Sequence, residues 1–206
     1  AVLVSLADHG LTPSALAARL TATGAPESVQ GAVAAGLLGA GSVLLGPAGD
    51  TAEFLAAALA ATGAGGADDQ RLGSVAAAAV DACLASGARI PGLGHPIHKD
   101  ADPRTARLYE LAEAEGLLGL HLRLLAEVAE AYAARSGRRL PVNGAGAGGA
   151  ALADAGIPPR SVRGVALIAR TAGLVGHLAD EASEPLGMRL WLEVDERARP
   201  PASGAG

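Results

Sequence analysis

The chain has 206 residues, room for one large domain or two modest ones, and carries 16 basic against 21 acidic side chains, a formal charge of −5. With no long basic run there is no Lys and Arg cluster to neutralise a phosphate backbone, so nucleic acid is excluded as a partner. Half the residues are hydrophobic but only 2% aromatic, and Cys83 is the only cysteine, so the core is Ala, Leu and Val, with neither an internal disulfide framework nor a Cys-based zinc site.

The opening "AVLVSLADHG" lies inside an apolar helical run with no basic region and no cleavage site. It reads as part of a domain lacking its N-terminal portion, and the protein is expected in the cytoplasm. Strand signals are weak, and helix starts recur. The first run ends at Gly10, just after His9. Thr12-Pro13-Ser14 combines an N-cap with proline at the first helical position and leads into "SALAARL". Ala25-Pro26-Glu27 opens residues 28–49, which carry no charge. That stretch is long enough for a membrane helix, but its glycines favour a helix pair buried in protein. No membrane association is expected.

Asp50-Thr51 is expected to cap "AEFLAAALAAT", which ends at Gly63 and the loop "GAGGADD". "DQRLGSVAAAAVDACLASG" stops at Gly87. After the turn-rich "IPGLGHPIHKDADPRTARLYEL" at 90–111, Asp102 caps a helix with Pro103 first. "LHLRLLAEVAEAYAARSG" ends at Gly137, and "PPRSVRGVALIARTAGLVGHLADEAS" reads as one long helix. The fold class is therefore all-α. Composition suggests a larger apolar domain from residues 1–50 and 151–195, a smaller inserted domain at 51–150, and a disordered tail at 196–206.

The stretch at 90–111 concentrates chemistry. Gly92 and Gly94 free the backbone before His95, and Arg104 falls in the first turn of a helix whose N-terminus favours anions. Arg can hold a carboxylate bidentately, and His can donate to a carbonyl or hydroxyl oxygen. The competing reading is a capped helix entry with Arg104 in solvent. His95 and His98 could ligate a metal, but the spacing offers no third ligand, so no metal is expected. Arg163, Arg170 and His177 recur every seven residues, one stripe of the long helix with about 20° of drift per heptad. Arg163 is expected to be exposed. Arg170 lies in apolar surroundings and calls for an anion, either a bound carboxylate or an internal Asp or Glu. His9 suits a helix C-terminus for dipole reasons alone, and His98 and His121 read as surface or packing residues. "NGAGAGG" at 143–149 lacks the features of a phosphate loop and is expected to let helices or a flat ligand approach the backbone.

Three segments together resemble the citrate synthase family. "ADHGLTPSALAARL" is similar to its Asp-His segment, "GLGHPIHKDADPR" to its Gly-x-Gly-His … Asp-Pro-Arg loop, and "AGIPPRSVRGVALIARTAGLVGHLADE" to its Gly-Ile-Pro … Ala-Arg-Thr-x-Gly-x-x-x-His helix. The resemblance covers about residues 1–190. It implies an all-α fold with a large domain, a small domain and a cleft that closes on oxaloacetate. His9, His95, Arg104 and Arg170 then fall at positions that bind oxaloacetate or citrate, with His95 polarising the ketone. It also implies condensation with acetyl-CoA through citryl-CoA, a coenzyme A thioester as substrate with no tightly bound cofactor, and a homodimer or larger assembly. "GHPIHK" is closer to the citryl-CoA lyase branch. Two family features are replaced. The Gly-Pro-x-His-Gly-Gly segment is "LLGPAGDTAEF", with Gly49 near the histidine position, and the aspartate-bearing segment is "LPVNGAGAGG", with Asn143 followed by Gly and Ala. Asp50 is the candidate substitute base.

Overall fold

The computed structural model describes residues 1–61 and 71–199. Its helices are α1 (Val2–Ala7), α2 (Pro13–Gly24), α3 (Val29–Leu38), α4 (Ser42–Leu45), α5 (Pro47–Ala60), α6 (Leu72–Ser86), α7 (Pro103–Ala114), α8 (Leu120–Ser136), α9 (Gly144–Asp154), α10 (Pro159–Ser183) and α11 (Gly187–Ala198). Among the described residues there is no strand, only an isolated antiparallel bridge between Leu93 and Val142. The all-α expectation holds.

Several helix ends follow from local chemistry. The Thr12 hydroxyl accepts from Ala15 N ahead of Pro13, and Asp102 caps α7 ahead of Pro103. Gly87 and Gly137 close α6 and α8 in the left-handed region, at φ +70° and +69°. Three expectations are corrected. Asp50 is not the cap of α5, because Pro47 starts the helix earlier and leaves Asp50 inside its first turn. The uncharged stretch does form separate helices, α3 and α4, but it is only partly buried: Ala32, Gly36 and Leu45 are buried, whereas Leu38 and Val43 are 86% and 85% exposed in the single chain. Residues 196–198 are not a tail: they complete α11, where Arg189–Glu193 and Arg199–Asp195 pair at i,i+4. Residues 200–206 and the "GAGGADD" loop lie outside the described residues.

Contacts divide the chain into two compact units, Ala1–Leu6 with Ser42–Ala169, and Ala7–Gly41 with Arg170–Gly206. The composition blocks change at residues 50 and 151 instead. The difference arises because Ala48 and Ala52 of α5 form an apolar cluster with Val162 of α10, tying those apolar segments to the middle of the chain.

In the first unit, α5 and α8 pack against α9, and α6 packs on α8, around Leu55, Leu72, Val80, Leu122, Leu125 and Val128. Glycine makes the α5–α9 approach possible: a Cβ on Gly149 would collide with the backbone carbonyl of Ala48. Gly149→Ala is expected to cost about 1–3 kcal/mol. Gly164→Ala, where nothing lies within 4 Å of the added methyl, should instead stabilise α10 by about 0.5–1 kcal/mol. Opposite shifts of the urea midpoint check the pair.

In the second unit, α2 packs on α3 and α11. The Ser14 hydroxyl donates to Gly36 O at 2.6 Å. Arg19 meets Glu181 at 2.5 Å with both side chains buried, and Glu181 also accepts from Leu186 N and Gly187 N, capping α11. α10 is long and apolar enough to cross a membrane by length and composition, with hydropathy 1.2. It nevertheless buries Arg170, His177 and Glu181, which suits protein neighbours better than acyl chains.

Candidate active site

In the first unit, the chain between α6 and α7 is a loop held from both sides. Gly92 and Gly94 take φ +84° and +79°, which the sharp turns into His95 require. Gly94 N donates to Pro141 O at 2.8 Å and Asn143 N to Gly92 O at 2.9 Å. The Asn143 side chain completes the clasp: its Nδ2 donates to Gly94 O at 2.8 Å, and its Oδ1 caps α9 by accepting from Gly146 N at 2.8 Å. Gly146 has no room for a Cβ because Gly92 Cα would be 2.5 Å from it. The glycines of 143–149 therefore serve close backbone approach, as the sequence suggested.

This clasp sets the chemistry of His95. Its Nδ1 accepts from Ile97 N at 3.1 Å and His98 N at 3.0 Å. An imidazole nitrogen that accepts twice carries no proton, so in the neutral ring Nε2 holds the hydrogen. The His98 ring lies over His95 with centroids 4.5 Å apart and planes tilted by 32°. Arg104 Nη2 comes within 3.4 Å of His95 Nε2. With Nε2 protonated this is an approach of two donors, which a carbonyl or carboxylate oxygen would bridge.

Arg104 is not simply solvated. Its Nε and Nη2 grip Asp102 at 2.9 and 2.7 Å, while Asp102 also accepts from Arg104 N at 3.0 Å and Gly144 N at 2.7 Å. The Asp102 side chain is fully buried, and that of Arg104 is 21% exposed. Burial pushes the Asp102 carboxyl up, but Arg104 and the two backbone amides outweigh it and hold it well below the usual carboxylate range. The helix entry is thus capped without leaving Arg104 in solvent. Asp102 takes one edge of the guanidinium, and Nη1 donates to Ser5 O at 3.5 Å.

His95, His98 and Asp102 bring one possible metal-ligand atom each within 4.8 Å of one another. Asp102 is the third ligand that spacing alone did not reveal. Its oxygens already accept four donors, and the Arg104 cation lies alongside, so the set is committed to orienting Arg104 rather than to a cation.

The second unit holds the other candidates. His9 is half-buried, between Asp8 and Gly10. Asp8 Oδ1 accepts from Gly10 N at 3.0 Å and from His177 Nε2 at 2.9 Å. Arg170 is 5% exposed, and its Nε and Nη1 are buried without a hydrogen-bond partner among the described residues. Desolvation lowers its pKa, and the charge of Asp8 offsets part of that. Arg163 is exposed, as expected.

Asp50 is exposed in the first turn of α5 and forms no hydrogen bond to His95 or Arg104. His121 is local: Asp154, at the end of α9, accepts from His121 N, Leu122 N and His121 Nδ1 and so caps α8. Sequence reasoning missed Asp102 as the partner of Arg104, Asn143 as the clasp, and Asp8 as the partner of His177. Only the Asp-Pro-Arg spacing and the heptad position of His177 hinted at any of these.

The family model for citrate synthase, C-terminal domain, matches residues 1–190. The chain belongs to the citrate synthase family. Among solved structures, citryl-CoA lyase from Hydrogenobacter thermophilus is 33% identical at TM-score 0.81, covering 100% of this chain and 75% of that one. ATP citrate lyase from Methanothrix soehngenii, solved with citrate and coenzyme A, is 25% identical at TM-score 0.72, covering 99% and 33%. Citrate synthase from Thermotoga maritima shares the fold, at 17% identity and TM-score 0.69, with 100% and 51% covered. The chain thus spans half of that synthase and a third of the ATP citrate lyase. Among curated proteins nothing matches.

The two segments that the sequence reading takes as replaced family features are both described. Gly49 is buried, and a Cβ there would lie 3.6 Å from Arg163 Cβ, so the position faces α10. Asn143 and Gly144 are spent on the His95 loop and on Asp102.

Proposed function

We propose that this citrate synthase family member cleaves citryl-CoA to oxaloacetate and acetyl-CoA, the same carbon–carbon bond that the family makes in the synthase direction. The observation that carries the reading is Arg170, a buried guanidinium whose Nε and Nη1 have no hydrogen-bond partner among the described residues. Burying such a cation is costly unless an anion arrives to pair with it, and a substrate carboxylate is that anion. The 33% identity to a citryl-CoA lyase over the whole chain supports the direction.

In the proposed step a base removes the citryl hydroxyl proton. The C–O bond becomes a ketone as the C–C bond breaks, the electron pair passes to the thioester enolate, and a proton then delivered to carbon gives acetyl-CoA. His95 Nε2–H donates to the oxygen that becomes the ketone; Arg104 in the first unit, and Arg170 and His9 in the second, are the proposed carboxylate-binding groups. Asp50 is the proposed proton-transfer group, being exposed and ionisable near the position the family gives to its second histidine. Coenzyme A enters as the thioester substrate. The reading includes a homo-oligomer, supported by apolar side chains as exposed as Val4 (81%), Leu38 and Val43.

The test is oxaloacetate release from citryl-CoA, read as NADH consumption with malate dehydrogenase. Turnover is expected, with His95→Gln lowering kcat by about 10²–10³ and Asp50→Asn by about 10²–10⁴. No turnover from citryl-CoA, nor from acetyl-CoA with oxaloacetate, while oxaloacetate still binds, would leave a dicarboxylate-binding protein and sink the enzyme reading.

A further inference from the structure

Every buried side-chain polar atom without a partner among the described residues belongs to Arg170 or His177: Arg170 Nε and Nη1, and His177 Nδ1. These residues are seven apart on α10 and share a face with about 20° of drift. Buried polar atoms are paired in the great majority of cases, so their concentration on one stripe points to something the stripe is built to meet.

Between them, Gly173 brings α10 against the segment that carries His9. A Cβ at Gly173 would collide with the Ala7 carbonyl, so the segment rests directly on the helix there. One residue on, Asp8 Oδ1 takes the His177 Nε2–H at 2.9 Å and the Gly10 amide at 3.0 Å, closing the turn around His9 with Gly10 at φ +69°. A carboxylate only accepts, so Nε2 is the protonated nitrogen, and in the neutral ring Nδ1 is left as a bare acceptor. The charge of Asp8 is also felt at Arg170. One carboxylate therefore links the His9 turn, His177 and the Arg170 face.

We propose that Asp8 and His177 are positioning residues for the carboxylate site, latching the His9 turn onto α10 beside Arg170. The inference rests on reading Arg170 as a carboxylate-binding residue. Without the Asp8–His177 bond the turn loses a contact that fixes it on α10, and displacement by about 1 Å of a binding group can cost on the order of 10²-fold.

Calorimetric titration of the full chain with oxaloacetate, and separately with citrate, tests the proposal. Wild type is expected to bind and Arg170→Met to fail. His177→Phe should weaken binding by about 10- to 100-fold while its melting temperature stays near that of wild type. His177→Gln, whose amide nitrogen can still donate to Asp8, should recover to within about threefold. Asp8→Asn keeps the acceptor and removes a negative charge beside an anion site, so it should bind at least as well as wild type. Wild-type affinity in His177→Phe, with Arg170→Met dead, would overturn this inference and leave the carboxylate reading standing. So would equal loss in His177→Phe and His177→Gln, since a merely structural role predicts no rescue. Failure of wild type to bind either acid would overturn both readings.

Discussion

Arg170→Met makes the ligand-free protein more stable and removes its affinity for dicarboxylates. The two effects have opposite signs and one cause. Arg170 is 5% exposed, and its Nε and Nη1 meet no acceptor among the described residues. The folded protein therefore carries a desolvation penalty, about 1–3 kcal/mol for unsatisfied groups and more for a charged one. Met has a similar length and no charge, and replacing buried ionic groups by apolar ones of similar volume can stabilise by about 1–4 kcal/mol. A higher urea midpoint is the expected reading. Oxaloacetate at 100 times its Kd should raise wild-type stability by about 2.7 kcal/mol and leave the variant unchanged. Had Arg170 been one half of an internal ion pair, the substitution would instead cost about 3–5 kcal/mol. Loss of stability in Arg170→Met would therefore refute the reading of Arg170 as a cation awaiting a ligand.

What was legible in the sequence was whatever is decided locally. Thr12-Pro13, Asp102-Pro103, Gly87 and Gly137 act within a turn of their own position, and the ends of α2, α6, α7 and α8 fall there. Asp50 shows how near-equal signals mislead: an acidic residue suits a first turn as well as a cap, and Pro47 three residues earlier decides between them. α9 was illegible because "GAGAGGAALAD" has poor helix propensity. Its helix is held by the Asn143 cap and by contacts with Ala48 and Gly92 that only glycine allows.

The site divides the same way. Arg170 stood out because an arginine in an apolar run has few explanations. The tautomer of His95 did not, because it depends on two amides of a turn whose path no spacing rule fixes. The bond between Asp8 and His177 joins positions 169 residues apart, beyond the reach of any periodicity. Asp102 was legible as a cap, and its second function, orienting Arg104, was not.

That double function makes Asp102→Ala the most damaging single change expected in the first unit. The substitution uncaps α7, strands the Gly144 amide at the start of α9, and leaves Arg104 without the carboxylate that grips its Nε and Nη2. Removing one member of a buried pair costs about 3–5 kcal/mol, expected as a lower urea midpoint at pH 7. Asp102→Asn should recover only part of this: it can still accept at the cap, but its amide nitrogen must face a donor. The charge component is separable by pH. The folded carboxyl is held below the ordinary aspartate value of 3.8, so its stabilisation is complete above that value and is lost as pH falls toward the folded pKa. The gap in stability between wild type and Asp102→Asn should be constant from about pH 5 to 8 and shrink below about pH 4. A gap that stayed undiminished in acid would mean that Asp102 acts through capping hydrogen bonds alone, and that Arg104 does not need its charge to stay beside His95.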